Sequence, residues 1–159
     1  MSVRVPPRGT RGTGFGNFPR WIVPIFSTMN VMFFRMAGSR AKVQGRPLLL
    51  LETTGARSGR PRRTTLGWFP DEGGPARSWL IVASNAGAAA HPNWFFNLAR
   101  RPEAVIDVGG ERVRVSAETL QGEERRRAWE RVVALAPGYG KYGVETDREI
   151  PIVRLVPRT

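Results

Sequence analysis

Residues 55–65, "GARSGRPRRTT", concentrate arginine and hydroxyl side chains around two glycines and a proline. Glycine and proline suit a tight turn, but a turn does not require guanidinium groups. Arginine presents a planar fork of donors that matches phosphate and carboxylate, and backbone N–H groups in a glycine turn can also meet an anion. The segment therefore predicts an anion site at a hairpin tip, with a solvated tip as the alternative. The candidate side chains are Arg57, Ser58, Arg62, Arg63 and Thr64.

A second candidate segment, "VASNAGAAAHPNWFFNL", covers residues 82–98. Its small residues allow a flat ring or a phosphate to approach the backbone closely, and the first turn of the following helix offers N–H donors. Trp94 is interpreted either as a core residue or as the wall of a ring-binding cleft. A third segment, "APGYGKYGVETDR", places Tyr139 and Tyr142 in one loop. Their hydroxyls could position a substrate or donate a proton, and their rings could equally form a structural lid.

The residue types that are scarce narrow the chemistry. The chain of 159 residues has no cysteine, which excludes disulfides, thiolate metal sites and cysteine nucleophiles. His91 is the only histidine, so a multi-histidine metal site is excluded and a Ser/His/Asp triad is disfavoured. No metal is therefore expected, and hydrolase chemistry is disfavoured.

The charge balance indicates an anionic partner. The formal net charge is +12 with a pI near 11.6, and all but Lys42 and Lys141 of the 25 basic residues are arginines. An anionic small molecule, nucleic acid or an anionic membrane surface fits this charge, although a GC-rich genome would also favour arginine codons. Nucleic acid is the least favoured partner, because the aromatic residues cluster in predicted helices rather than alternating with basic residues.

The elements that must position these segments begin with a predicted mobile arm, residues 1–16, rich in Arg, Gly and Pro. Residues 17–40 form an apolar unit in which a helix is predicted from Pro19 to Ala37. Its apolar core, residues 21–34, spans 14 residues. A helix needs about 20 apolar residues to cross a bilayer, so this segment is too short. We expect this helix to pack on the domain or on a second subunit of a homodimer, or to lie on a membrane surface through residues 18–37.

Residues 41–159 read as one α+β domain. Segments rich in β-branched and aromatic residues predict about six mainly antiparallel strands. A hairpin is expected through Gly109 and Gly110. Peripheral helices are predicted at "PNWFFNLAR" and "EERRRAWERVVALA", the second of which stops at Pro137. Together these elements predict a small barrel.

Three segments, in this order and spacing, resemble the deazaflavin-dependent nitroreductase family of actinobacterial oxidoreductases. They are "LLLETTGARSGRPRRTTLGWF", "IVASNAGAAAHPNWFFNL" and "YGKYGVETDREIPIVRL". The similarity covers residues 45–157, and residues 1–40 match only as a helix-bearing N-terminus. The combination of "TTGxxSGxPR" with "HPxWxxNL" makes the resemblance specific, whereas each motif alone would be weak.

The resemblance implies an FMN-binding-type split β-barrel that uses coenzyme F420, a deazaflavin with a phosphodiester and an oligoglutamate tail. The family's substrate-side tyrosines fall on Tyr139 and Tyr142, which the resemblance makes the catalytic residues. Ala136 stands where members that reduce nitro-drugs have a tyrosine, and Arg57 and Asn85 stand where lysines are common. The coenzyme contacts fall on the hairpin residues above and on Val82, Ala83, Ser84, Asn85, Asn93, Trp94, Phe95, Phe96 and Asn97.

The function implied by the resemblance is hydride transfer from the reduced deazaflavin to a quinone, an activated alkene or a nitro compound. The accompanying proton would come from water or a tyrosine. FMN in place of the deazaflavin, or binding of either without turnover, are the alternatives. The expected location is the cytoplasm, with peripheral contact to the inner face of the membrane if the N-terminal helix meets lipid.

Overall fold

The sheet has eight strands in the computed structural model, which describes residues 2–12, 31–36, 42–43 and 45–159. The strands are β1 Lys42–Val43, β2 Arg46–Thr54, β3 Pro61–Gly67, β4 Phe69–Pro70, β5 Trp79–Val82, β6 Glu103–Val108, β7 Glu111–Thr119 and β8 Ile152–Pro157. They pair in the order β1, β2, β6, β7, β8, β5, β4, and β3 pairs with β2 outside this path. All pairings are antiparallel, as predicted. The count exceeds the predicted six because β1 and β4 are two residues long, too short to show a sequence pattern.

The long strands follow from their apolar patterns. The four leucines of β2, residues 48–51, are all buried, since β2 has neighbours along both edges. β6 instead alternates buried and less buried residues, which gives it one core-facing side. The predicted hairpin between β6 and β7 is confirmed. Gly109 and Gly110 both have positive φ, 57° and 79°, as the two-residue turn that matches strand twist requires.

Two apolar clusters fill the two sides of the sheet. The cluster inside the barrel contains Leu51, Ile81, Ile106 and Leu155 with helix α2 Asn93–Arg100 over it. The cluster on the other side of β5 and β8 is covered by α3 Gly122–Leu135 and α4 Gly138–Glu145. β5 contributes to both clusters because alternate residues of a strand point to opposite faces.

A buried arginine on β8 connects one end of the sheet to α3. Arg154 is 6% exposed, and its Nε donates to Asp71 Oδ2 at 2.5 Å. The same guanidinium donates to Glu118 Oε1 at 3.2 Å and to Glu124 Oε2 at 3.2 Å. Removing one carboxylate would leave the buried charge partly unpaired, so this cluster anchors the β4–β5 turn and the start of α3.

The helices α2 and α3 lie where they were predicted, with Pro92 directly before α2 and Pro137 shortly after α3. The segment expected to be a tyrosine loop is instead the helix α4, although it contains three glycines. Two of these glycines allow α4 to approach α3 closely. A methyl group at Gly143 would lie 3.1 Å from Trp129 Cζ2, and one at Gly140 would lie 3.3 Å from Val133 Cγ1. Tertiary packing therefore overrides the low helix propensity of glycine.

The N-terminal segment, residues 2–12, runs along the barrel and hydrogen-bonds to it at several points. The Thr119 N–H donates to Ser2 O at 3.2 Å, and the Gly9 N–H donates to Ala89 O at 3.0 Å. These contacts differ from the prediction of a mobile arm at 1–16, of which residues 1 and 13–16 lie outside the described residues.

Of the predicted helix Pro19–Ala37, residues 31–36 are described and are helical, and we call them α1. The remainder of that predicted helix lies outside the described residues. Three apolar side chains of α1 are exposed: Met32 at 58%, Phe33 at 58% and Met36 at 82%. No helix in the described ranges is long and apolar enough to cross a membrane.

Candidate functional site

One edge of β3 is unpaired, because among the described strands β3 pairs with β2 only. This edge faces β5, and the chain leaving β5 turns at Asn85–Gly87 before entering α2. α4 also contacts this turn. The β2–β3 hairpin, the strand β5 with the turn after it, and the tyrosine helix are therefore consecutive neighbours in the fold. These are the three segments that the sequence singled out.

The arginine loop, residues 55–60, is a tight connection between β2 and β3. The Gly55 N–H donates to Arg60 O at 2.8 Å, and the Gly59 N–H donates to Gly55 O at 2.9 Å. Gly59 has φ +68°, a conformation that favours glycine. A methyl group at Gly55 would lie 2.6 Å from Ser58 Oγ, so the close fold of the loop also requires glycine there. The loop consequently presents Arg57 at an exposed tip.

The arginines of this hairpin divide between its two faces. Arg62 pairs with Thr53 and Thr64 pairs with Leu51, so both point to the inner face, as the two-residue period predicted. Arg63 pairs with Glu52 on the outer face, where its Nε donates to Glu52 Oε2 at 2.7 Å. This hydrogen bond, with the nearby Arg112 charge, lowers the pKa of Glu52 despite its partial burial. Arg63 thus lies apart from the other predicted coenzyme contacts.

Three guanidinium groups of the hairpin lack a carboxylate partner. Within the described part of the chain, no carboxylate lies within 4.0 Å of Arg57, Arg60 or Arg62, and all three are exposed. Arg63, by contrast, forms an ion pair with Glu52. Three uncompensated positive charges at one loop repel one another, and a multiply charged anion would relieve that repulsion.

Asn97 on α2 fastens the helix to the hairpin. Its Nδ2 donates to Thr53 Oγ1 at 3.0 Å, and its Oδ1 accepts from the Ala56 N–H at 2.9 Å. Asn97 is 8% exposed, so its amide supports the arginine loop from beneath. This placement explains why an asparagine stands on an otherwise apolar helix face.

The aromatic residues of α2 differ in placement. Trp94 is 8% exposed and Phe95 is fully buried, and both belong to the core cluster inside the barrel. Their rings meet edge to face with centroids 6.1 Å apart. A small part of the Trp94 side chain is accessible and none of the Phe95 side chain is, and contact of these two residues with a coenzyme stays a prediction. Asn93 and Phe96 are exposed, with Phe96 at 43%.

The turn after β5 has an unusual backbone. Asn85 has φ +46°, Ala86 has φ +52° and Gly87 has φ +80°, which places three consecutive residues in the left-handed region. A non-glycine residue there is strained, and such strain concentrates at functional sites. Val82 and Ala83, which precede the turn, are buried, and Ser84 between them and the turn is half-buried. We call Asn85–Gly87 the left-handed turn.

A buried arginine lies beneath the left-handed turn. Arg148, 6% exposed, donates from Nη2 to Ala83 O at 3.1 Å and to Ser84 O at 2.7 Å, and from Nε to Ala88 O at 2.8 Å. Burial lowers the pKa of Arg148, but a guanidinium stays charged. Among the described residues no carboxylate forms an ion pair with it, and its recorded partners are backbone carbonyls and the ring of His91.

His91 connects Arg148 to the N-terminal segment. Since arginine has only donors, Nη1 of Arg148 donates to His91 Nδ1 at 3.2 Å, which places the proton on Nε2. His91 Nε2 then donates to Pro6 O at 2.8 Å. Burial lowers the pKa of His91, consistent with a neutral ring. Sequence reasoning assigned no role to either residue, and the only signal was that His91 is the sole histidine.

Tyr139 and Tyr142 meet near the far end of the β2–β3 ladder. Tyr139 is 9% exposed and packs edge to face on Phe69 and on Tyr142, with centroids 5.5 Å and 5.6 Å away. A methyl group at Gly67, the last residue of β3, would lie 3.8 Å from the Tyr139 hydroxyl oxygen. Burial raises the pKa of Tyr139 above its ordinary value, so this hydroxyl keeps its proton at neutral pH.

The two ends of the site are separated by the length of the ladder. The Thr54–Pro61 pair lies next to the arginine loop, and the Leu48–Gly67 pair lies next to Tyr139. Six residues at about 3.4 Å each make this distance roughly 20 Å. The fold and the site therefore define the class: an antiparallel split barrel with a basic loop at one end of the β2–β3 ladder and two tyrosines at the other.

Comparison with known proteins agrees with this class. The family model described as F420H(2)-dependent quinone reductase matches residues 28–157. A Mycobacterium tuberculosis protein named F420H(2)-dependent quinone reductase is 38% identical over 115 residues, which cover 70% of this chain and 74% of that protein. The chain belongs to the F420H(2)-dependent quinone reductase family.

Solved structures show the same fold. An F420-H2 dependent reductase matches with a TM-score of 0.61 at 34% identity, covering 73% of this chain and 99% of that one. A domain-swapped dimer matches with a TM-score of 0.62 at 30% identity, covering 86% of this chain and 97% of that one. The predicted α+β split barrel is thereby confirmed.

Proposed function

We propose that this protein is an F420H2-dependent quinone reductase, which transfers a hydride from the reduced deazaflavin to a quinone. The observation that carries the proposal is the pairing of a basic loop with a buried tyrosine at opposite ends of the β2–β3 ladder. The names of its relatives support the same coenzyme and acceptor. FMN remains the alternative coenzyme to be tested against it.

The basic end fits the anionic tail of the coenzyme. Arg57, Arg60 and Arg62 carry charges that no described carboxylate neutralises, and Ser58 adds a hydroxyl at the same loop. Charge-assisted hydrogen bonds from guanidinium groups to phosphate or carboxylate are about twice as strong as neutral ones. In this proposal the arginine loop holds the phosphodiester and the oligoglutamate, and Asn97 keeps the loop in place.

The tyrosine end fits the ring and the acceptor. When bound, the reduced deazaflavin supplies the hydride, and the chemistry of that step belongs to its ring. The chain orients the two reactants, limits water access, and supplies a hydrogen-bond donor for the acceptor oxygen. Reduction of a quinone to a hydroquinone takes one hydride and one proton. The protonated hydroxyl of Tyr139, or that of Tyr142 beside it, donates toward the quinone oxygen, and the net proton comes from solvent.

The experiment is a pair of spectroscopic titrations followed by turnover. Purified protein is titrated with F420 and, separately, with FMN, and anaerobic oxidation of F420H2 is then followed with a soluble naphthoquinone. The proposal expects saturable F420 binding and quinone-dependent oxidation. If the protein binds FMN but not F420, FMN is its coenzyme. If it binds F420 but no acceptor oxidises the bound F420H2, the protein binds the coenzyme without catalysing the reaction.

We further propose that the exposed apolar face of α1 contacts a second copy of the chain. Met32, Phe33 and Met36 form an exposed apolar patch, and such patches commonly mark a binding surface. A related structure is a domain-swapped dimer. Deleting residues 1–40 should then lower the oligomer mass and leave liposome binding absent in both proteins. Co-sedimentation with anionic liposomes that the deletion abolishes would instead place the protein peripherally on the inner face of the membrane.

A further inference from the structure

The left-handed turn is held from two sides by groups distant in the sequence. From beneath, Arg148 binds the carbonyls of Ala83, Ser84 and Ala88. From the other side, the N-terminal segment passes so close that a methyl group at Gly12 would lie 2.5 Å from Gly87 O. The same methyl group would lie 2.6 Å from Ala89 N. Only glycine can occupy that point without displacing the turn or the segment.

The carbonyl contacts determine which way the turn's N–H groups point. In a planar trans peptide the N–H points opposite to the carbonyl of the preceding residue. Because Ala83 O and Ser84 O point to Arg148, the N–H groups of Ser84 and Asn85 point away from it. Successive N–H groups in a right-handed to left-handed pair form a concave donor site, and Ser84 is right-handed at φ −72°, ψ −32° while Asn85 is left-handed.

The N-terminal segment is anchored by four hydrogen bonds to Thr146 and Asp147. Asp147 Oδ1 accepts from the Thr10 N–H at 2.8 Å and from the Arg11 N–H at 3.0 Å, and Thr146 Oγ1 donates to Arg11 O at 2.9 Å. The Thr10 hydroxyl also donates to Asp147. These hydrogen bonds hold the pKa of Asp147 at about 2. His91 adds the Pro6 contact described above.

We propose that Arg148 and the N-terminal segment are positioning elements of the coenzyme site: together they hold the left-handed turn so that the Ser84 and Asn85 N–H groups face the deazaflavin ring. The inference rests on the proposed function. It assigns a role to residues 2–12 that lies outside the coenzyme-contact motifs. Arg148 supplies the inner support, and Gly12 and Asp147 supply the outer support. The turn also has local hydrogen bonds, from the Gly87 N–H to Ser84 O, from the Ala88 N–H to Asn85 O and from Asn85 Nδ2 to Ala90 O. Loss of either distant support should still let the strained backbone relax, because left-handed non-glycine residues persist only where the surrounding structure holds them.

The test uses the full chain with single substitutions on each support. Gly12→Ala pushes the segment off the turn, Asp147→Ala releases Thr10 and Arg11, and Arg148→Lys removes the guanidinium fork. Gly73→Ala is the matched control, since a methyl group there meets nothing nearer than Arg131 Nη2 at 4.0 Å. Amide hydrogen exchange of residues 83–90 is measured without coenzyme, and F420 dissociation constants and thermal midpoints are measured on the same proteins.

We expect the amides of residues 84–89 to exchange about tenfold faster in Gly12→Ala and Asp147→Ala, with an F420 dissociation constant about tenfold higher. The Gly73→Ala control should match the parent in both. Because the turn carries no charged group toward the coenzyme, the salt dependence of binding should keep its slope in these variants. Arginine-loop variants, by contrast, should flatten it.

Each outcome decides the proposal. Unchanged exchange in both Gly12→Ala and Asp147→Ala would show that the segment does not hold the turn. Faster exchange with unchanged F420 affinity would show that the turn's shape does not matter to the coenzyme. If Arg148→Lys does not fold, the other two variants still decide. Failure of the parent protein to bind F420 would refute the proposed function instead, and the exchange data would still report on the support itself.

Discussion

Asn97 Nδ2 lies 3.0 Å from Thr53 Oγ1, and this buried hydrogen bond joins the helix α2 to the β2–β3 hairpin. The other end of the same amide accepts from the Ala56 N–H at 2.9 Å. One side chain therefore sets the distance between the helix and the arginine loop. Phe95 and Leu98 of α2 are fully buried and fix this helix to the core. The position of the arginine loop therefore depends on the packing of the core.

Asn97→Ala should destabilise the protein by about 1–3 kcal/mol, since it leaves a buried hydroxyl and a backbone N–H without their partner. Thr53→Val is the matched variant, because it removes only one of the two hydrogen bonds and keeps the shape of the side chain. Its cost should be smaller, about 1 kcal/mol. Urea denaturation measures both. If the Asn97→Ala protein is as stable as the parent, the Asn97 hydrogen bonds do not stabilise the contact between α2 and the hairpin.

Arg62→Ala should weaken F420 binding by about 1.5–3 kcal/mol, the size of a hydrogen bond to a charged group. Arg57→Ala should act in the same direction, and raising the salt concentration should weaken binding in the parent. Arg63→Ala is the control, because Arg63 forms an ion pair with Glu52 on the outer face. The measurement is a fluorescence titration at two salt concentrations. If Arg62→Ala and Arg63→Ala weaken F420 binding equally, the anionic tail of the coenzyme does not bind on the inner face of the hairpin.

Tyr139→Phe should lower the turnover of a quinone acceptor while leaving the F420 titration unchanged, because the buried ring remains and only the donor hydroxyl is lost. General acid contributions are typically 10²–10⁴-fold, so kcat should fall by about a hundredfold or more when the donating hydroxyl is removed. Tyr142→Phe tests the neighbouring hydroxyl in the same assay. A large fall in coenzyme affinity with either variant would place the tyrosines on the coenzyme side instead.

The lowered pKa of His91 predicts that the free energy of unfolding depends on pH. Burial lowers its pKa in the folded protein, so the unfolded chain takes up the proton first as the pH falls. Stability is therefore full above about pH 6.5 and declines as the pH falls below that value. The facing charges are Arg148, which opposes protonation, and Glu149, which favours it.

Thermal or urea unfolding between pH 7.5 and 5.5 isolates this effect, because the chain has no other histidine and no cysteine. His91→Gln keeps a neutral side chain whose Nε2 can still donate to Pro6 O, and it should flatten the decline. His91→Asn, which keeps an acceptor for Arg148 instead, should flatten it as well. A decline of equal slope in all three proteins would assign it to other groups.

Much of this protein could be predicted from local patterns. The β6–β7 hairpin, β8 and the helices α2 and α3 follow from apolar periodicity and from glycine and proline at their ends. The period of two residues along β3 correctly placed Arg62 and Thr64 on one face. Such features depend on interactions between residues that are close together in the chain, so they can be predicted from the sequence.

Tertiary structure decided the rest, because the deciding contacts join residues far apart in the chain. α4 is helical because Gly140 and Gly143 let it pack on α3, which local propensity opposes. Trp94 and Phe95 belong to the core cluster because α2 lies over the barrel. Arg63 is directed away from the site by Glu52 across the ladder. Arg148 and His91 acquire their roles from carbonyl groups more than fifty residues away in sequence, so only the folded chain shows that the left-handed turn has a support.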